Sequence, residues 1–316
     1  MTELPGTSPV PPLVFAAAQS LRTASPTPTP APQPPQASTS SSNKRTKQHS
    51  SKDPAFPLPK LRLEIRDLNH DGTEEFLTAV IANKAIATAV QSVLSTLYHS
   101  PDYPTTTAPS TRSVTLILRP MGGVAYTTGS DLDSDHKEIH FSLDYIRGIA
   151  SDRKKDEIMG VLTHEMVHCY QYDAFGTCPG GLVEGIADFV RLNSNLSPPH
   201  WKKEATGSWD AGYQHTAYFL EYLEKRFGNG TIRRLNEKLR IERYEEKKFW
   251  TELCGRPVEQ LWGDYRELLE KEKRRAEEEE CVMVEKEDAS TPKMRNSMDG
   301  GSVEPTPTTK ANKGPR

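Results

Sequence analysis

The chain has 316 residues, enough for one large or two small domains, and its formal net charge of −3 provides no global basic field to draw it to nucleic acid or an anionic membrane. No stretch approaches about 18 uninterrupted apolar residues, so hydropathy gives no membrane-spanning helix and no membrane partner is expected. The four cysteines, Cys169, Cys178, Cys254 and Cys281, lack CxxC spacing, which argues against a cysteine-built zinc site.

Ten of the 25 prolines fall in the first 35 residues, and Phe15 is the only aromatic residue before Lys52. Such a segment cannot bury enough apolar surface to offset chain entropy, so residues 1–55 read as a disordered arm rich in Pro, Ser and Thr. Lys44, Arg45, Lys47 and Lys52 form a basic cluster, read either as a nuclear-localisation or polyanion patch or, more often for such a run, as a solubilising one. Glu3 and the early prolines leave no basic n-region, and VPPLVFAAA is too short and interrupted for a secretory leader. The expected location is intracellular, in the cytoplasm or nucleus, with unconventional export left open.

The folded part, 56–266, opens on Leu61–Leu68, whose apolar and charged residues alternate as in a half-exposed strand. Asn69 to Gly72 read as a turn, with His70 and Asp71 serving turn chemistry. Thr73 to Tyr98 have acids in the first turn and helical apolar spacing, which predicts one long helix covering the sheet. Ser113–Arg119 is the best strand, with Val124–Thr128 as its expected partner. Asp131, Asp133 and Asp135 suit a solvated acidic loop better than a calcium site. Glu138–Leu143 alternates again; His136 and His140 fall here, and His140, between apolar neighbours, reads as a structural sheet residue.

The run Gly160–Leu192 carries the chemistry. HEMVH places His164 and His168 four apart with Glu165 between them, and EGIAD places Glu184 and Asp188 four apart. A helix turns about 100° per residue, so each pair lies on one face. Two imidazoles so placed grip one metal ion, and a carboxylate from a second helix completes a three-ligand site with a fourth position open for water, the catalytic form of zinc coordination. Taken separately, each motif has a bland reading as ordinary helix residues. Apolar residues at Ile158, Val161, Leu162 and Met166 favour a helix buried in a core, which holds ligands rigidly. Asp188 suits the carboxylate to which a metal-bound histidine donates its second ring N–H. Cys169 points about 100° away from His168 and so is no ligand; it and Cys178 can bridge in an oxidising compartment, but thiols are expected.

Beyond a loop over 197–210, Asp210 reads as the cap of a helix from Ala211 to Phe227, stopped by Gly228. Tyr213 and His215 in its first turns are candidate donors to the negative charge that develops on the scissile carbonyl oxygen, the alternative being that both pack the helix. Ile232 to Trp262 read as amphipathic helices with Phe249, Trp250, Leu261 and Trp262 in the core. From Glu267 a charged helical extension frays into a disordered tail, 267–316.

HEMVHCYQY, PGGLVEGIADFVRL, WDAGYQHTAYFLEYL and FWTELCGRPVEQLWGDY resemble the plant basic secretory protein family, a set of predicted zinc metallopeptidases with relatives in fungi and bacteria. The resemblance covers about residues 60 to 266. It implies a zincin-like, gluzincin-type arrangement similar to thermolysin in logic. His164, His168 and Glu184 would then bind Zn2+, with Glu165 as general base and Asp188 behind the ligands. It also implies that the strand before the active-site helix lines the substrate groove, where a peptide pairs with its edge. Two departures stand out: the chain is not basic, and it shows no leader. The expected fold is α+β, a small mixed sheet on the N-terminal side with mostly helices after HEMVH. The expected function is zinc-dependent hydrolysis of a peptide or protein substrate. The alternatives are a non-catalytic zinc-stabilised binding protein, which the intact Glu165 disfavours, and a metal-dependent hydrolase of non-peptide amides.

Overall fold

The described residues of the computed structural model are 56–104 and 106–290. The expected arm over 1–55 and the tail beyond 290 lie outside them.

The fold is α+β. Strand β2 (Ser113–Arg119) is buried almost throughout, and it lies inside the sheet with a strand on either side. It pairs in parallel with β1 (Lys60–Ile65) and with β4 (Asp133–Ser142), while β3 (Ala125–Ser130) runs antiparallel to β4. The order is β1-β2-β4-β3, a small mixed sheet. Leu116 lies opposite Ile139 and Leu118 opposite Phe141, and with Val114 these form a fully buried inner face.

Val124–Thr128 therefore does not partner Ser113–Arg119 as expected. A tight connection through Asp131 and Leu132 folds β3 back on β4, the local pairing that a hairpin favours. That correction moves the free edge to β3, since β4 is flanked on both sides. Strand β4 also begins earlier than expected and takes in Asp133 and Asp135. Asp133 pairs with Arg112, and Asp135 accepts from Ser110, so these acids serve structure. Leu143 opens helix α3 (Leu143–Gly148), capped by Ser142.

The single helix expected over Thr73–Tyr98 is two: α1 (Asp71–Ala79) and α2 (Ala82–Leu97), bent by 66° across extended Val80 and Ile81. The bend lets α1 pack on α3 while α2 packs on α4 (Lys154–His168). His70 caps α1, its Nδ1 accepting from Gly72 N. No single helix among the described residues is long and apolar enough to cross a membrane.

Helices α5 (Gly180–Asn193), α6 (Tyr213–Phe227), α7 (Thr231–Ile241), α8 (Glu246–Cys254) and α9 (Val258–Ser290) complete the domain. Phe249, Trp250, Leu261 and Trp262 are in the core, as their spacing predicts. The charged extension expected from Glu267 continues α9 rather than starting a new element.

Candidate metal centre

Helix α4 starts with Asp156 and Glu157 in its first turn, where carboxylates complement the helix dipole, and is buried almost without interruption from Ile158 to Val167. That burial holds its side chains in place. Helix α5 lies beside it, with Glu184 and Asp188 facing His164. His164 Nδ1 is 2.7 Å from Asp188 Oδ1, while Nε2 is 3.1 Å from Glu184 Oε2; His168 Nε2 is 3.8 Å from that same oxygen. One ligand atom from each of His164, His168 and Glu184 lies within 4.8 Å of the others, the one such group among the described residues. Two imidazole nitrogens and a carboxylate oxygen form a donor set that fits catalytic zinc, and Asp188 orients His164 from behind.

The electrostatics follow from burial and charge. Burial disfavours the charged form of His164, but hydrogen bonds to Asp188 and Glu184 outweigh it and hold the pKa up at about 9. Burial, aided by the His164 charge, pushes His168 down to about 4. The hydrogen bond from His164 holds the Glu184 carboxyl below the usual range despite burial. Glu165 is 6% exposed, and burial raises its pKa against the pull of His164 and of a hydrogen bond from Thr127. Thr127 lies opposite Ile139 in the β3–β4 register, on the face that meets α4. Its hydroxyl is 2.7 Å from Glu165 Oε2.

Tyr213 borders the same cleft, with its ring 6.1 Å from that of His164 and nearly parallel to it. The Glu184 charge and partial burial raise its pKa, which keeps the phenol protonated. Helix α6 begins at Tyr213 and not at Ala211, and Asp210 does not cap it; the Asp210 carboxylate accepts from Ser208 instead. Thr216 does the capping work: its hydroxyl accepts from Gly212 N and donates to Trp209 O. Tyr213 sits at φ 46°, a strained position for a residue with a side chain. The strain is imposed by close packing. A Cβ on Gly181 would lie 1.6 Å from the Asp210 carbonyl oxygen, and one on Gly185 would lie 2.3 Å from Thr216 Cγ2.

His215, the other candidate donor, is not brought to the cluster. It is buried, with Nε2 3.1 Å from Ser208 O and its ring packed on Trp262, so it serves as a packing residue. His140 is likewise structural, stacked on Tyr126. Cys169 and Cys178 are free thiols; burial raises both, Cys178 to about 12.

A cleft of about 910 Å³ runs past these residues. One wall is the free edge of the sheet, Val124 to Thr127. The floor follows one face of α4 and α5 to a second cluster, where Arg191 pairs with Glu157 at 3.0 Å and Tyr145 donates to Glu157. Arg191 fits against α4 because residue 160 is glycine, and its guanidinium lies over Trp201. Thr127, Gln171, Glu157 and Arg191 were not among the residues singled out from sequence. Glu157, seven residues before His164, Arg191, three after Asp188, and Gln171, three after His168, had a local signal in helical spacing; Thr127 had none.

Residues 58–265 match a family model described as "Peptidase of plants and bacteria". No curated protein and no solved structure matches the chain. The match spans well over half of the sequence and contains every residue of the cluster. The chain therefore belongs to the basic secretory protein family, a family of peptidases whose substrates are peptides or proteins.

Proposed function

We propose that the chain is a zinc-dependent peptidase in which His164, His168 and Glu184 hold the metal and Glu165 is the general base. The observation that carries this reading is the convergence of the three donor atoms beside a buried glutamate, on the floor of a cleft bordered by a free strand edge. Bound zinc supplies a Lewis acid that polarises the scissile carbonyl and makes water nucleophilic near neutral pH.

The chain's own residues do the rest. The edge of β3 offers unpaired backbone groups to an extended peptide, fixing its register over α4. Thr127 holds Oε2 of Glu165, so the carboxylate keeps one orientation. Burial raises the basicity of Glu165, which suits it to take a proton from the attacking water and pass it to the leaving amine. The Tyr213 phenol, kept protonated, donates to the carbonyl oxygen as it gains negative charge. Asp188 fixes the His164 tautomer, leaving Nε2 directed at the ligand cluster.

The test is elemental analysis together with peptide cleavage. The parent should carry one zinc per chain, His168→Ala should carry none, and Glu165→Gln should keep zinc and lose cleavage. Cleavage retained by Glu165→Gln would overturn the assigned mechanism. Zinc without turnover of any peptide by the parent would point to the non-catalytic alternative.

A further inference from the structure

His164 has its orienting carboxylate in Asp188; the side chain in contact with the corresponding nitrogen of His168 lies outside α4 and α5. The His168 Nδ1 atom is 2.8 Å from the side-chain amide of Gln171, with Nε2 of that amide facing the ring. The amide oxygen, Gln171 Oε1, is buried without a hydrogen-bond partner. In this orientation the amide donates, so a neutral His168 must accept at Nδ1 and carry its proton on Nε2. Nε2 is the nitrogen directed at Glu184, 3.8 Å away, and a protonated nitrogen has no lone pair for a metal. Turning the amide by 180° about its last side-chain bond places Oε1 against the ring. The proton then belongs on Nδ1, the lone pair on Nε2 is freed, and the partnerless oxygen is engaged.

We propose that Gln171 is the positioning residue of His168, accepting a hydrogen bond from Nδ1–H through Oε1 when His168 serves as a ligand. This inference rests on the metal reading of the cluster. The surrounding chain holds Gln171 at the required place. Its N–H extends the end of α4 by bonding Val167 O at 2.7 Å. The residues on either side are pinned from two different helices. Tyr98, just past α2, donates to Tyr170 O, and the buried Asn236 of α7 accepts from Tyr172 N at 3.1 Å.

The test compares zinc affinity, by competition with a chromophoric chelator, in the full chain and in Gln171→Met and Gln171→Glu. Methionine keeps the length and removes the acceptor; glutamate keeps an acceptor and removes the donor. Gln171→Met should bind zinc about 10- to 100-fold more weakly, the usual effect of losing such a partner, and Gln171→Glu should bind at least as tightly as the parent. Thermal melts with chelator present should be alike for parent and Gln171→Met. Equal zinc affinity in parent and Gln171→Met, or Gln171→Glu as weak as Gln171→Met, would overturn the proposal. A parent that takes up no zinc would instead remove the metal reading, and this inference with it.

Discussion

The Thr127 hydroxyl lies 2.7 Å from Glu165 Oε2 and 2.9 Å from the Glu165 carbonyl oxygen, so one proton has two acceptors on a single residue. It ties the edge strand to the residue assigned as base. Thr127→Val should lower kcat about 10- to 100-fold with KM and zinc content little changed, since a hydrogen bond to a charged group contributes roughly 1.5–3 kcal/mol. Thr127→Ser should restore most of the rate. Steady-state kinetics on the three proteins checks this, and an unaltered kcat in the valine variant would remove the positioning role.

On the proposed reading, zinc would have to displace the proton on His164, which Asp188 and Glu184 hold to a pKa of about 9. A raised pKa means stronger competition from protons, so zinc affinity should rise about tenfold per pH unit up to about pH 9 and then level off. His168, pushed down to about 4, adds no second proton over that range. Competition titrations from pH 6 to 10 read the slope. Asp188→Asn should weaken binding above pH 9 and shift the plateau to lower pH, because the carboxylate that holds the proton is gone.

Tyr213→Phe should lower kcat about 100-fold while leaving zinc content unchanged, as expected for a donor aimed at developing charge. His215→Phe should cost stability, through loss of the bond to Ser208 O, and leave zinc content as it was. Parallel kinetics, zinc analysis and melts separate the two residues.

Gly181→Ala tests whether close packing places Tyr213. The added Cβ would meet the Asp210 carbonyl oxygen and push the turn before α6 outward. Overpacking of this kind costs about 1–3 kcal/mol, and kcat should fall towards that of Tyr213→Phe. Unchanged kcat alongside a lowered melting temperature would mean that Tyr213 finds its place by other means.

The clustering of His164, His168 and Glu184 was legible in sequence because one helical period brings His164 and His168 together, and the same period pairs Glu184 with Asp188. What was not legible depends on chain segments distant in sequence. Thr127 reaches Glu165 only because β3 folds onto β4, whereas two neighbouring apolar strands suggested a β2 partner. The apolar spacing of α2 continues that of α1 across Val80 and Ile81, so nothing local marked the bend; it exists because α1 and α2 pack on different helices. Asp210 is a good capping residue by type, yet the approach of Gly181 to its carbonyl carries the chain two residues further before α6 starts.

The glycines at 181 and 185 also decide which parts of the cleft can move. With α5 locked against α6 and against the turn that presents Tyr213, neither helix can slide without collision, so the wall bearing Glu184 behaves as a fixed jaw. The opposite end, where Trp201 rests on Arg191, belongs to a long irregular connection between α5 and α6. That connection carries no helix or strand, so any yielding of the cleft is expected there rather than along α5. Substrates of different bulk should be accommodated by yielding at Trp201, some distance from the bond being cut, while the reacting carbonyl always meets the same unyielding geometry.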